Sequence, residues 1–100
     1  MSQTELEIEF WNYVKCGEGM PKQAPDKMLI AYGYYKQATV GDLAENNRPE
    51  ENSDVVRTFK HDQWERMKGM GKEEAMTKYI AFIKQLFQEQ GLKIESYITV

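Results

Sequence analysis

Apolar positions recur along most of this chain at helical rather than alternating spacing, in four blocks separated by glycine, proline and polar residues. Leu6, Phe10, Tyr13 and Val14 fall at steps of three and four and predict a first helix. Ser2 and Glu5 are spaced as a capping box at its start. The run Gly17-Glu18-Gly19-Met20-Pro21 predicts its end near Cys16, because glycine and proline continue a helix at a cost. Pro25 and Asp26 suit the first turn of a second helix, where proline loses no hydrogen bond and an acid meets the positive end of the dipole. That helix is expected to reach about Val40 and stop at Gly41. The polar segment from Asp42 to Asn52, with Asn46-Asn47-Arg48-Pro49 inside it, reads as a long loop. Ser53 is placed to cap a third helix from about Asp54 to Lys68. After the turn Gly69-Met70-Gly71, a fourth helix is predicted from near Lys72 to about Gln90, with Gly91 as the residue that ends it. Met76, Tyr79, Ile80, Ile83, Leu86 and Phe87 form its apolar face. Only the tail alternates, with Ile94, Ser96, Ile98 and Val100 on one parity, and it reads as a frayed end or an arm on the surface. Four amphipathic helices in so short a chain imply an all-α, four-helix bundle. The long second loop leaves room for the third helix to run parallel to the second.

The stripes on the second and third helices contain an anomaly. At about 100° per residue, Met28, Leu29, Tyr32, Tyr35, Lys36 and Thr39 share roughly a third of the helical circumference. Val56, Phe59, Gln63, Trp64 and Met67 form a comparable arc on the third helix, and Lys60 lies within it. Burying an unpaired ammonium is costly, so a lysine inside such a stripe needs a reason. One reason is snorkelling, with the stem on apolar surface and the head in water. The other is a ligand that carries both an anionic group and an aromatic plane. From the arcs alone both readings stand.

Composition narrows the classes. One hundred residues suit one domain with a modest core. An apolar content of 41% and a charged content of 29% fit a soluble globular protein. No apolar run approaches bilayer length, so no membrane span is expected. The N-terminal residues lack the basic and apolar regions of a signal peptide, and a lone Cys16 permits no internal disulfide, so the expected location is cytoplasmic. A net charge of −3 argues against nucleic acid as a partner, yet a small phosphorylated ligand needs only two or three placed cations.

Catalytic and metal-binding patterns are thin. His61 is the sole histidine and reads as a surface residue. Cys16 falls at the negative end of a helix, which disfavours a thiolate, so it reads as packing. One histidine and one cysteine make no closed zinc site, and no metal is expected. Gly69-Met70-Gly71-Lys72 lacks both the spacing and the preceding strand of a phosphate loop, so it reads as a turn. No catalytic residue is assigned.

The run Met28-Leu29-Ile30-Ala31-Tyr32-Gly33-Tyr34-Tyr35-Lys36-Gln37-Ala38-Thr39-Val40-Gly41-Asp42 resembles the acyl-CoA-binding protein family. So do Lys60 and Trp64 leading into Met67-Lys68-Gly69, Lys72-Glu73-Glu74-Ala75-Met76, and Tyr79-Ile80. The resemblance covers roughly Met28 to Leu86. It implies an up-down-down-up four-helix bundle that holds fatty acyl-CoA esters without transforming them, as a monomeric carrier that needs no cofactor. By the same resemblance, Tyr32, Lys36 and Lys60 would bind the phosphate-bearing nucleotide part, Tyr35 the adenine, and Tyr79 would line the nucleotide site. Met28 and Leu29 would touch the pantetheine and acyl part. Residues 1–91 would form the binding domain and 92–100 an extension.

The chain departs from that family at several points. His61 stands where a second tryptophan is common, and Val56 where a lysine is common. Phe10 replaces a small residue of the acyl groove, and Val14 replaces a basic one. The first loop is a few residues longer. The expectation is a retained nucleotide end and a reshaped acyl groove, partly filled by Phe10. A protein-interaction bundle that keeps the fold but has lost the groove is the alternative.

Overall fold

A computed structural model describes residues 3–21, 23–43 and 55–93. The described elements are all helical: α1 spans Gln3–Gly19, α2 Pro25–Thr39, α3 Val55–Arg66 and α4 Lys72–Glu89. The Ser2 and Ser53 caps, most of the second loop and the alternating tail lie outside the described residues. No described helix is long and apolar enough to cross a membrane.

The fourth helix is the spine of the core. Ala75, Met76, Tyr79, Ile80, Ile83, Leu86 and Phe87 are buried along it at the expected spacing. This face packs on both α1 and α2, while α3 packs on α2. Phe10, Tyr13, Val14 and Cys16 fill the α1 side, and Ala31 and Ala38 supply small surfaces on α2. Each large apolar side chain removed from water contributes about 1.5–3 kcal/mol, so the buried face of α4 is a main source of the stability that holds α1 and α2 together. The helix closes as its sequence predicts. Leu92 N–H donates to the Phe87 carbonyl across 2.9 Å and Gly91 N–H to the Gln88 carbonyl across 3.2 Å, the paired bonds of a Schellman motif. Leu92, assigned to the tail by sequence, packs against the core.

Two helix ends differ from expectation. The third helix gives way at Met67 to turns closed by Met67 N–H to the Trp64 carbonyl and Lys68 N–H to the Glu65 carbonyl. The first helix does not stop near Cys16 but continues to Gly19. Glycine costs a helix interior about 1 kcal/mol relative to alanine, and tertiary packing outweighs that here. The Gly17 backbone lies against α4, where a Cβ would come within 2.9 Å of the Tyr79 hydroxyl oxygen. Met20, just past the helix, packs on the core.

Polar contacts join α2 to the turn that precedes α4. Gln37, with no solvent exposure, donates through its amide nitrogen to the Asp42 carboxylate and to the Met70 carbonyl, each across 2.8 Å. Asp42 also accepts from Gly69 N–H across 2.9 Å. Trp64 N–H donates to the Gly41 carbonyl across 2.7 Å. These bonds fix the end of α3 against α2 and so fix where Lys60 is carried relative to Lys36.

Candidate functional site

A cavity of about 760 Å³ opens between the helices. From α2 it is lined by Pro25, Met28, Leu29, Ala31, Tyr32 and Tyr35, and from α3 by Val55, Val56, Phe59 and Lys60. Tyr79, Ile83 and Leu86 form its α4 wall, and Val14, Gly17, Glu18 and Met20 close it from α1 and the residue beyond. The lining is predominantly apolar, with a few polar groups among it, as in sites for amphiphilic small molecules. Met28, Val55, Val56 and Phe59 stand exposed around its mouth, apolar surface that a ligand can cover.

Two ammonium groups converge on the ring of Tyr32. Lys60 Nζ lies 5.3 Å from its centroid and Lys36 Nζ 6.0 Å. Lys36 comes from the next turn of α2, so its stem runs along the same face as Tyr32. Its Nζ is also 5.3 Å from the indole of Trp64, the ring held by Gly41. Burial pushes the Tyr32 phenol up, which keeps its hydroxyl protonated and able to donate. Two cations and a neutral donor around one ring suit a phosphate.

Tyr35 and Tyr79 form an aromatic wall. Burial pushes the Tyr79 hydroxyl well above the usual tyrosine range, and the neighbouring Glu18, Cys16 and Tyr35 push it in the same direction. Behind both rings sits Phe10. Its ring stacks against Tyr35 at 6.3 Å and meets Tyr79 edge-on at 5.2 Å, while Trp11 packs edge-on against Phe10 at 5.2 Å and Tyr35 at 6.1 Å. Phe10 is 0% exposed and does not line the cavity. The expectation that Phe10 occupies the acyl groove is therefore corrected: the ring is drawn into the core by three other aromatics and supports the wall from behind.

Of the residues singled out from sequence, Met28, Leu29, Tyr32, Tyr35, Lys60 and Tyr79 all line the cavity, and Lys36 stands beside it. Sequence reasoning missed Gly17, Glu18 and Met20 as lining, because their place depends on α1 continuing to Gly19; Val14, already on the first helix by its spacing, joins them. Ile83 and Leu86 were legible as core residues, and they serve as both core and cavity floor.

The remaining reactive groups lie elsewhere. Cys16 is fully buried, and burial raises its thiol. His61 is also largely buried, contrary to its reading as a surface residue. Its Nδ1 stands 3.5 Å from Asp62 and 3.8 Å from Glu65, and its Nε2 has no hydrogen-bond partner among the described residues. Among the described residues, His61, Asp62 and Glu65 are the one group whose potential metal-ligating atoms lie within 4.8 Å of one another. None of the three lines the cavity.

The chain has close counterparts among known proteins. The family model described as acyl CoA binding protein matches residues 7–83. A relative from Gossypium hirsutum, an acyl-CoA-binding protein, is 47% identical over 88 residues, spanning 86% of this chain and 96% of its own length. The crystal structure of Oryza sativa acyl-CoA-binding protein 2 superposes with a TM-score of 0.79 at 36% identity, covering 86% of this chain and 94% of that one. The structure from Moniliophthora perniciosa gives the same TM-score at 30% identity, covering 97% and 92%. With a family match over most of its length and the same fold in both solved relatives, this chain belongs to the acyl-CoA-binding protein family.

Proposed function

We propose that this protein binds fatty acyl-CoA esters and holds them without chemical change, as an intracellular carrier. The observation that carries the reading is the pairing of an apolar cavity of about 760 Å³ with two ammonium groups directed at Tyr32 beside it. Such a ligand is itself divided, with a phosphorylated nucleotide at one end and a hydrocarbon chain at the other. Lys36, Lys60 and the Tyr32 hydroxyl hold the phosphates by charge-assisted hydrogen bonds. The adenine lies against Tyr35, with Tyr79 beside it. The pantetheine arm and chain run along Met28, Leu29, Ile83 and Leu86, and each methylene removed from water adds about 0.8 kcal/mol.

The non-catalytic part of the proposal rests on what lines the cavity. Its lining includes no histidine, cysteine or serine among the described residues, so a histidine-activated hydroxyl or thiol is not found there. Residues 1–91 are assigned as the binding domain and 92–100 as an extension, in a monomer resident in the cytosol.

Calorimetric titration with CoA and with a long-chain acyl-CoA tests the proposal, with the ligand recovered intact afterwards. The ester should bind with one-to-one stoichiometry and much more tightly than CoA. Uptake of neither would leave a helical interaction module, and loss of the thioester would make the protein an enzyme.

A further inference from the structure

The continuation of α1 past Cys16 brings a carboxylate to a site for an anionic ligand. Glu18 is the sole acidic residue lining the cavity among the described residues, and it lies close enough to Tyr79 to act on its hydroxyl. A carboxylate there repels phosphates, a cost that a hydrogen-bond donor of the ligand facing it would offset. Resting on the reading of the cavity as an acyl-CoA site, we propose that Glu18 recognises the exocyclic amino group of the ligand's adenine and makes the protein selective for that base.

Three placements support the assignment. The phosphates are drawn to Lys36 and Lys60 around Tyr32, and Tyr35 stands on the same face of α2, one turn further on. Tyr35 and Tyr79 are near neighbours that share Phe10 as their backing, so a base lying on Tyr35 has an edge towards Tyr79 and Glu18. Adenine presents an N–H₂ group on an edge of its ring. An ionised carboxylate only accepts hydrogen bonds, so it matches that group and opposes a carbonyl or a bare ring nitrogen. Gly17 lets α1 and its Glu18 approach this wall, because a Cβ at Gly17 would come within 2.9 Å of the Tyr79 hydroxyl oxygen.

The test compares an acyl-CoA with the same ester in which hydrogen replaces the adenine amino group, titrated against the parent, Glu18→Gln and Glu18→Ala. Glu18 is solvent-exposed, so each variant should keep the parental melting temperature. The parent should lose about three- to tenfold in affinity when the amino group is removed, the scale of one charge-assisted hydrogen bond at a solvated site. Glu18→Ala should bind the two esters equally well, and Glu18→Gln should fall between. If both esters gain affinity equally in Glu18→Ala, the carboxylate is only a repulsive neighbour and the assignment is overturned while the acyl-CoA reading stands. If the parent binds neither ester, both fall together.

Discussion

The Gln37 amide nitrogen stands 2.8 Å from the Asp42 carboxylate, and the same nitrogen reaches the Met70 carbonyl. Both partners are acceptors, which fixes the amide orientation and leaves its oxygen buried without a partner among the described residues. Asp42 in turn receives Gly69 N–H. One carboxylate thus ties the end of α2 to the turn before α4.

The first prediction concerns pH. The Gly69 N–H bond holds the Asp42 carboxyl below the usual range, helped by the Gln37 amide and Lys68 and opposed by desolvation. A carboxylate with a lowered folded-state pKa stabilises the fold fully above its unfolded-state value. That contribution is lost as pH falls through the folded-state value. Asp42→Asn should therefore lower the urea midpoint at neutral pH, and the gap to the parent should close on acidification. A gap of constant size from neutral to acidic pH would show that the charge of Asp42 contributes nothing.

Gly33 should tolerate no side chain. A Cβ there would meet the Gln63 carbonyl oxygen and the Met67 terminal methyl, each at 3.0 Å. The methyl can swing away, but the backbone oxygen cannot move without shifting α3. Overpacking of this kind costs about 1–3 kcal/mol. Because α3 carries Lys60, Gly33→Ala should also weaken acyl-CoA binding. Thermal melts and calorimetry on one preparation check both effects; an unchanged affinity would mean that Lys60 follows the ligand rather than α3.

Much of this was legible in the sequence for a physical reason. Lys36 and Lys60 break the rule that apolar stripes omit charge, and both come to rest against Tyr32. The α4 face followed directly from its period, and Gly91 ended it as its type predicts. Glu18 was illegible because the end of α1 is decided by packing between Gly17 and Tyr79, residues far apart in sequence. Phe10 was misread for a related reason. Whether a ring fills a groove or a core depends on which rings from α2 and α4 meet it, and spacing along α1 carries no such information.

The two lysines should separate binding from folding. Lys36→Ala and Lys60→Ala each remove a cation beside Tyr32, at the proposed phosphate site, and neither side chain belongs to the buried core. Hydrogen bonds to charged groups contribute about 1.5–3 kcal/mol, so each variant should lose roughly tenfold or more in affinity. Melting temperatures should stay near the parent's. The parent's affinity should fall with added salt, and less steeply in either variant. Parental affinity in both variants would move the phosphate site elsewhere.

Phe10 offers the sharpest contrast between wall and groove. If its ring occupied the chain's path, shortening it would open room for longer acyl groups. It is instead fully buried behind Tyr35 and Tyr79. Phe10→Ala should therefore cost about 3–5 kcal/mol of stability, the usual range for deleting a buried ring. A loss of that size can unfold a domain this small, so Phe10→Leu is the better probe, since it keeps an apolar side chain and most of the volume. Without the flat ring behind them, Tyr35 and Tyr79 lose the surface that orients them against the base. Affinity should then drop by the same factor for CoA alone and for every acyl ester, because the damage lies at the nucleotide end. Calorimetry across a series of chain lengths reads this as a parallel offset. A plateau that moves to longer chains in Phe10→Leu would instead return the ring to the acyl groove.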